Sequence, residues 1–417
     1  MKGYDKMINK VLLEKFAKLA VQTGANVKKG QYVLVNSSTE TKELAREIVK
    51  QAYLVGAKKV LVNWIDEYAA KYGYEYQSLK TLKEVPSWLV DKYQDFINQG
   101  GCAISISSPI PDLNKDVAPE KLQVSSIATR KALSFYYDHM MSSKSQWTII
   151  AAPNKIWAKK VFSDLNDDEA MDALWDAILK ASRVTIDNNP IKEWEEHNER
   201  LLKHNNILNE YNFKALKFKN NLGTDITVEL VKNHIWAGGG EFTPDGILFN
   251  PNIPTEENFT MPYKYGVNGK VVATKPLNYQ GKLIEDFWIE FKDGKVVNYD
   301  ALKNKDLLKT LVNFDEGSSY LGEIALISYD SPISNSGILF YNTLFDENAS
   351  CHMALGRAYT INIKDGPNLS LEELKKRGYN HSMAHTDFMF GSPDLSVKGI
   401  LENDNEIDVF VDGNFVI

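Results

Sequence analysis

Up to about residue 65 the apolar positions alternate between two periods. Ile8, Leu12, Phe16, Leu19 and Ala20 recur at helical spacing, and Gly24 predicts where that helix stops. "QYVLVNSS" follows as a short apolar run with strand character. "ETKELAREIVKQAYLVGA" returns to the helical period and ends near Gly56, and "KKVLVNW" reads as a second strand. A strand, a helix of that length and a strand make a βαβ unit, whose strands pair in parallel. The runs "GCAISISS" and "WTIIAAP" extend the scheme, with the helix-like "SSIATRKALSFYYDHMMSS" between them. This half is therefore expected to form an α/β domain, a twisted and mostly parallel sheet with helices on both faces.

The pattern changes after the charged, helical "IKEWEEHNERLLKHNNILNEY". From about residue 214 short strands dominate: "ALKFKN", "TDITVELV", "KVVATKPL" and "DFWIEFKDGKVVNY". Asp293-Gly294, set between alternating apolar runs, signals a hairpin. The expected domains are residues 1–205, α/β with that helical stretch as connector, and residues 206–417, a β-rich α+β domain. No internal repeat or low-complexity segment interrupts them.

Nucleotide-binding loops find no support. The first βα turn, "VNSSTETKEL", has neither Gly-x-Gly-x-x-Gly nor Gly-Lys-Ser/Thr. The three glycines in "HIWAGGGEFTPDG" lie between strand-like stretches, which predicts a tight turn or a close backbone approach.

Composition narrows the class. At 417 residues, two or more domains are expected. Hydrophobic residues at 43% and charged residues at 25% are the balance of a globular protein. Acidic residues outnumber basic ones, 55 to 48, for a formal charge of −7, which argues against nucleic acid or an anionic membrane as the main partner. Two cysteines, Cys102 and Cys351, make no disulfide framework and point to a reduced, cytoplasmic setting. "MKGYDKMINKVLLEKFAKLAVQTG" breaks its apolar positions with lysines and a glutamate, unlike a signal peptide. No apolar run approaches the ~18 residues of a membrane span.

Candidate chemistry concentrates in the second half. "HSMAHTDFMFGSP" places His381, His385 and Asp387 within a short stretch, and imidazole and carboxylate are the usual ligands of a divalent metal. Alternate residues of an extended segment point the same way, so His385 and Asp387 can reach one centre. Further acids or histidines stand beside glycine, proline or small residues in "NPNIPTEENFTMP", "NFDEGSSYLGEIALI" and "LFDENASCHMALGRAYT". Glu323 lies in an apolar run, where a charge is costly without a partner. His352 is similarly placed, Glu256 and Glu257 would suit a solvated loop equally well, and Glu316 would suit a helix start.

In this order, "NIPTEENFT", "YLGEIAL", "LFDENASCHMALGRAY" and "HTDFMFG" resemble the thermophilic metalloaminopeptidase family typified by aminopeptidases T and S. The resemblance spans most of the second domain, and the family's N-terminal α/β domain agrees with the reading of the first. It implies a metal-ligating set of Glu257, Glu323, His352, Tyr359, His385 and Asp387, with Glu256 as an alternative to its neighbour. His381 is not used. Three carboxylates and two imidazoles exceed a single tetrahedral zinc and suit two divalent ions, zinc, cobalt or manganese, sharing a bridging carboxylate and activating water. Tyr359 is placed to donate to the developing oxyanion, with Glu256 or Glu316 as general base. The activity implied is release of N-terminal residues from short peptides. A homodimer is implied too, and "MPYKYG" and "SFYYDHMM" suit an interface or a core alike. The alternatives are a non-catalytic chain holding a structural ion, or a sugar- or peptide-binding module. Structural zinc prefers cysteine-rich sets, whereas here only Cys351 is near, and no motif supports a module.

Overall fold

The computed structural model describes residues 9–279 and 282–417. The chain divides into two compact units. One runs through Glu196 and includes Gly240–Pro254; the other comprises His197–Gly239 and Thr255–Ile417.

The first unit is built on four parallel strands in the order Lys59–Ile65, Tyr32–Ser38, Cys102–Ser107, Trp147–Ala151. The helix Lys10–Leu19 starts where the Asn9 side chain accepts from the Val11 N–H, buries Phe16, Ala17 and Leu19, and runs into a wider turn ending at Gly24. Ile8 lies outside the described residues. Lys42–Leu54 buries Leu44, Ala45, Ile48 and Ala52, one helical stripe against the sheet. The expected helix over 125–143 is instead a pair, Pro119–Ala132 and Ser134–Met141. They part at Leu133, whose backbone leaves helical geometry (φ −105°) while its side chain is buried.

The structure divides the chain differently from a single cut at 205/206. The division falls inside the helix Pro190–Tyr211, and a later segment returns to the first unit. The return has a local cause: the Ile149 N–H donates to the Pro251 carbonyl and the Ile253 N–H to the Ile149 carbonyl, so the segment adds to the edge of the last parallel strand.

The second unit holds a nine-stranded antiparallel sheet and a four-stranded one. Strands Lys282–Lys292 and Lys295–Lys303 form the expected hairpin, with positive φ at both Asp293 and Gly294, the conformation a two-residue turn of the right twist requires. The run expected over 270–277 breaks after Val272 and resumes at Leu277: between them the Thr274 N–H turns to the Met389 carbonyl, and Pro276 has no N–H to give. One core cluster joins the two sheets. It takes Phe218, Ile226, Val228 and Phe287 from the larger, and Ile324, Met353, Leu355 and Phe388 from the smaller.

Candidate metal centre

The smaller sheet is ordered His385–Met389, His352–Gly356, Leu321–Leu326, Asn258–Thr260, all antiparallel. Directly paired residues share a face, as do residues two apart on one strand. Glu323 pairs with Ala354 and Ala354 with Asp387, while Gly356 pairs with His385. Glu323, His352, His385 and Asp387 therefore project from one face, around the small methyl of Ala354. The opposite face supplies Ile324, Met353, Leu355 and Phe388 to the core.

Glu323 reaches the polar face only through a β-bulge. Leu321 pairs with Leu355 and faces the core, but the ladder slips at Gly322, so that Glu323 meets Ala354 rather than Met353. A Cβ at Gly322 would collide with the carbonyls of Gly356 and Arg357, so the bulge needs glycine.

The side chains converge. His352 Nε2 lies 3.3 Å from Glu323 Oε1 and 3.4 Å from Glu257 Oε2. His385 Nε2 lies 3.3 Å from Asp387 Oδ1 and 3.7 Å from Glu323 Oε2. Glu323 thus turns one oxygen toward each imidazole. His385 Nδ1 donates to the Arg357 carbonyl at 2.7 Å, which orients the ring with Nε2 toward the cluster.

Burial and mutual charge set the titration. Burial and the carboxylates Glu323 and Asp387 push the Glu257 carboxyl up to about 8, against the pull of His352. For His352, burial opposes the charged form, but Glu323, Glu257 and Asp387 outweigh it and raise the imidazole to about 9. His385 goes to about 10 by the same balance, with Asp387 the chief partner. Asp387 is held below the usual carboxylate range because His385 outweighs its burial.

One member of the cluster escaped the sequence reading. Glu347, in a 3₁₀ turn ahead of the His352 strand, is raised well above an ordinary carboxyl by burial and then by Asp387, Glu257 and Glu323. Its only sequence signal was its place in "LFDENASCH", shared with a buried histidine. Tyr359 follows the same strand, its ring 4.9 Å from that of His385. Burial and the surrounding carboxylates hold its phenol well above its ordinary value.

The remaining candidates fall elsewhere. Glu256 turns away from its neighbour, its Oε2 3.7 Å from His197 Nε2. Glu316 is exposed where the turn Gly317–Ser319 begins. His381 is also exposed, its imidazole held below the ordinary value by partial burial and the nearby Arg357.

These residues fit a metal. Two groups of three, Glu257–Glu323–His352 and Glu323–His385–Asp387, each bring their donor atoms within 4.8 Å of one another. Four carboxylates gather round two imidazoles in a buried site, so all four acids can be ionised together only with a cation beside them. The donors are oxygen and nitrogen, the set that zinc, cobalt and manganese accept. Among the described residues no helix is long and apolar enough to cross a membrane.

The model of the family described as thermophilic metalloprotease (M29) matches residues 9–415. Aminopeptidase AmpS of Bacillus subtilis is 45% identical over 403 residues, 97% of this chain and 98% of that protein. Aminopeptidase T of Thermus aquaticus is 37% identical, again over 97% and 98%. The solved structure of wild-type AmpT from Thermus thermophilus superposes with a TM-score of 0.91 at 35% identity, covering 98% of this chain and 100% of that one. With a family match along nearly its whole length and relatives covered almost end to end, the chain belongs to the thermophilic metalloprotease family M29 and is a peptide hydrolase.

Proposed function

We propose that the chain is an aminopeptidase releasing N-terminal residues from short peptides, with a pair of divalent ions held by Glu257, Glu323, His352, His385 and Asp387. The observation carrying this reading is the sharing of Glu323 between two donor triads, the arrangement a bridging carboxylate takes. The relatives' names support the choice of substrate end. Such ions would supply Lewis acidity toward the scissile carbonyl and acidify the attacking water.

The protein groups do the rest. Tyr359, kept protonated by its surroundings, donates its phenolic proton in a hydrogen bond to the carbonyl oxygen as charge develops there. Glu347 replaces Glu256 and Glu316 as the general base. It stands beside Glu257, Glu323 and Asp387, whereas Glu256 faces His197 and Glu316 is exposed, so it is the carboxylate placed to take a proton from water and pass it to the departing amine. A structural ion is less well supported, because His385 keeps 21% and Asp387 11% of their side-chain surface open while Cys351 is engaged with Ile327.

Three finer points belong to the same reading. The metal is zinc, cobalt or manganese; the chain works as a homodimer; and it resides in the cytoplasm. The exposed Tyr265, on the strand Pro262–Val272, and Tyr137, on the helix Ser134–Met141, support an interface, and the free, buried Cys102 and Cys351 support a reducing compartment.

The experiment is an assay on aminoacyl p-nitroanilides and short peptides, before and after chelation, with each metal restored in turn. Activity that is lost to chelator and returns with metal is the expected result. Cleavage of internal peptide bonds, or none at all with metal bound, would overturn the reading.

A further inference from the structure

The proposed ligands are not all held in the same way. Glu323, His352, His385 and Asp387 belong to strands, whose ladder hydrogen bonds fix their backbone. Glu257 stands one residue ahead of the strand Asn258–Thr260, outside the ladder. Its orientation must come from elsewhere.

It comes from a stripe of the helix Pro190–Tyr211. His197, Leu201 and Asn205 recur at four-residue spacing on one helical face, and all three bind the segment around Glu257. His197 Nε2 lies 2.7 Å from the Thr255 carbonyl. The Asn258 amide donates to the Leu201 carbonyl at 2.9 Å and to Asn205 Oδ1 at 2.7 Å. From the opposite side the Glu256 N–H donates to Asn348 Oδ1 at 2.8 Å, and Asn348 is the residue after Glu347. A Cβ at Gly238 would strike the Glu257 carbonyl, so the backbone is packed as tightly there as it can be.

The tautomer of His197 is fixed as well. An Arg200 guanidinium nitrogen lies 3.4 Å from its Nδ1. Arginine can only donate, so Nδ1 accepts and the proton sits on Nε2, facing Thr255. His197 is 3% exposed, so this hydrogen bond does not compete with water.

We infer that His197 is a positioning residue for the metal centre, fixing the turn that presents Glu257 to His352 and so setting affinity at that side of the site. This rests on the metal-binding reading above. A residue that orients a ligand without touching the ion commonly changes affinity by about 10- to 100-fold.

The test is a Co²⁺ titration of chelator-stripped protein, followed by visible absorption and calorimetry, on wild type, His197→Leu, His197→Asn and His197→Gln. Circular dichroism and thermal melting establish the fold. Leucine removes the donor, asparagine keeps a polar group too short to reach Thr255, and glutamine can still donate. The expected result is one Co²⁺ equivalent weakened by about 10-fold or more in His197→Leu and His197→Asn, the other unchanged, with His197→Gln near wild type. A selective loss of this kind is not what general destabilisation produces, and His197→Asn decides if the leucine variant fails to fold. Wild-type affinity for both equivalents in a folded asparagine or leucine variant overturns the inference, as does an equal loss in His197→Gln. Absence of Co²⁺ binding by the wild type would instead overturn the metal reading.

Discussion

His381 and His385 lie in one short segment, yet only the second meets the cluster, with its Nε2 3.3 Å from Asp387. The alternation that aims His385 and Asp387 together was legible in the sequence, because a strand's period of two needs no tertiary information. His385→Ala or Asp387→Ala should lower kcat/KM by roughly 10²-fold or more with the fold intact, and His381→Ala far less. Equal damage from His381→Ala at full metal loading would contradict the assignment. Tyr359 makes a separate demand: Tyr359→Phe keeps the ring against His385 but removes the donor. It should cost about 10²- to 10³-fold in kcat while Co²⁺ affinity stays within a few-fold. A phenylalanine variant with wild-type kcat would remove Tyr359 from the chemistry. Sequence left Glu256 and Glu257 open because adjacent side chains diverge, and which one faces inward depends on His197, far away in the chain.

At the scale of the element, the fold of the first unit was readable because each helix and parallel strand carries its own periodicity. The site sheet was harder. Leu321–Leu326 is buried along its whole length, so no alternation marks Glu323 as facing differently from Leu321. The bulge at Gly322 that turns it is a pairing event, invisible until the partner strand is known. Glu347 was hidden for a similar reason, standing in a short turn whose direction only packing decides. Ala354 tests the geometry of this sheet. Its methyl lies between Glu323 and Asp387 on the polar face, so Ala354→Val, well suited to a strand, would crowd any ion that those two carboxylates hold. The variant should melt within a few degrees of wild type yet bind metal about 10-fold or more weakly. Unchanged affinity would show that the ions do not sit over that face.

For the molecule as a whole, two units were expected, but the return of Gly240–Pro254 to the first rests on backbone bonds to Ile149 that no periodicity announces. Stability should carry the imprint of His234, buried in the second unit with its Nδ1 3.1 Å from the Val231 carbonyl. Burial depresses this imidazole from 6.5 to about 4, the hydrogen bond to Val231 offsetting only part. The unfolded chain therefore takes up a proton below 6.5 that the native state refuses until about 4, so the contribution is present above 6.5 and lost as pH falls through that window. The loss is roughly 3 kcal/mol. An NMR titration of the His234 ring tests it directly, and a midpoint near 6.5 would contradict the burial argument. The central claim is that two donor triads sharing Glu323 hold a pair of ions and that both are needed for catalysis. It is tested most directly by restoring metal stepwise to chelator-stripped protein while measuring bound metal per chain and aminopeptidase activity on the same samples. The account predicts about two ions per chain, with full activity only when the second is bound. Full activity at one ion per chain, or activity that survives complete removal of metal, would contradict it.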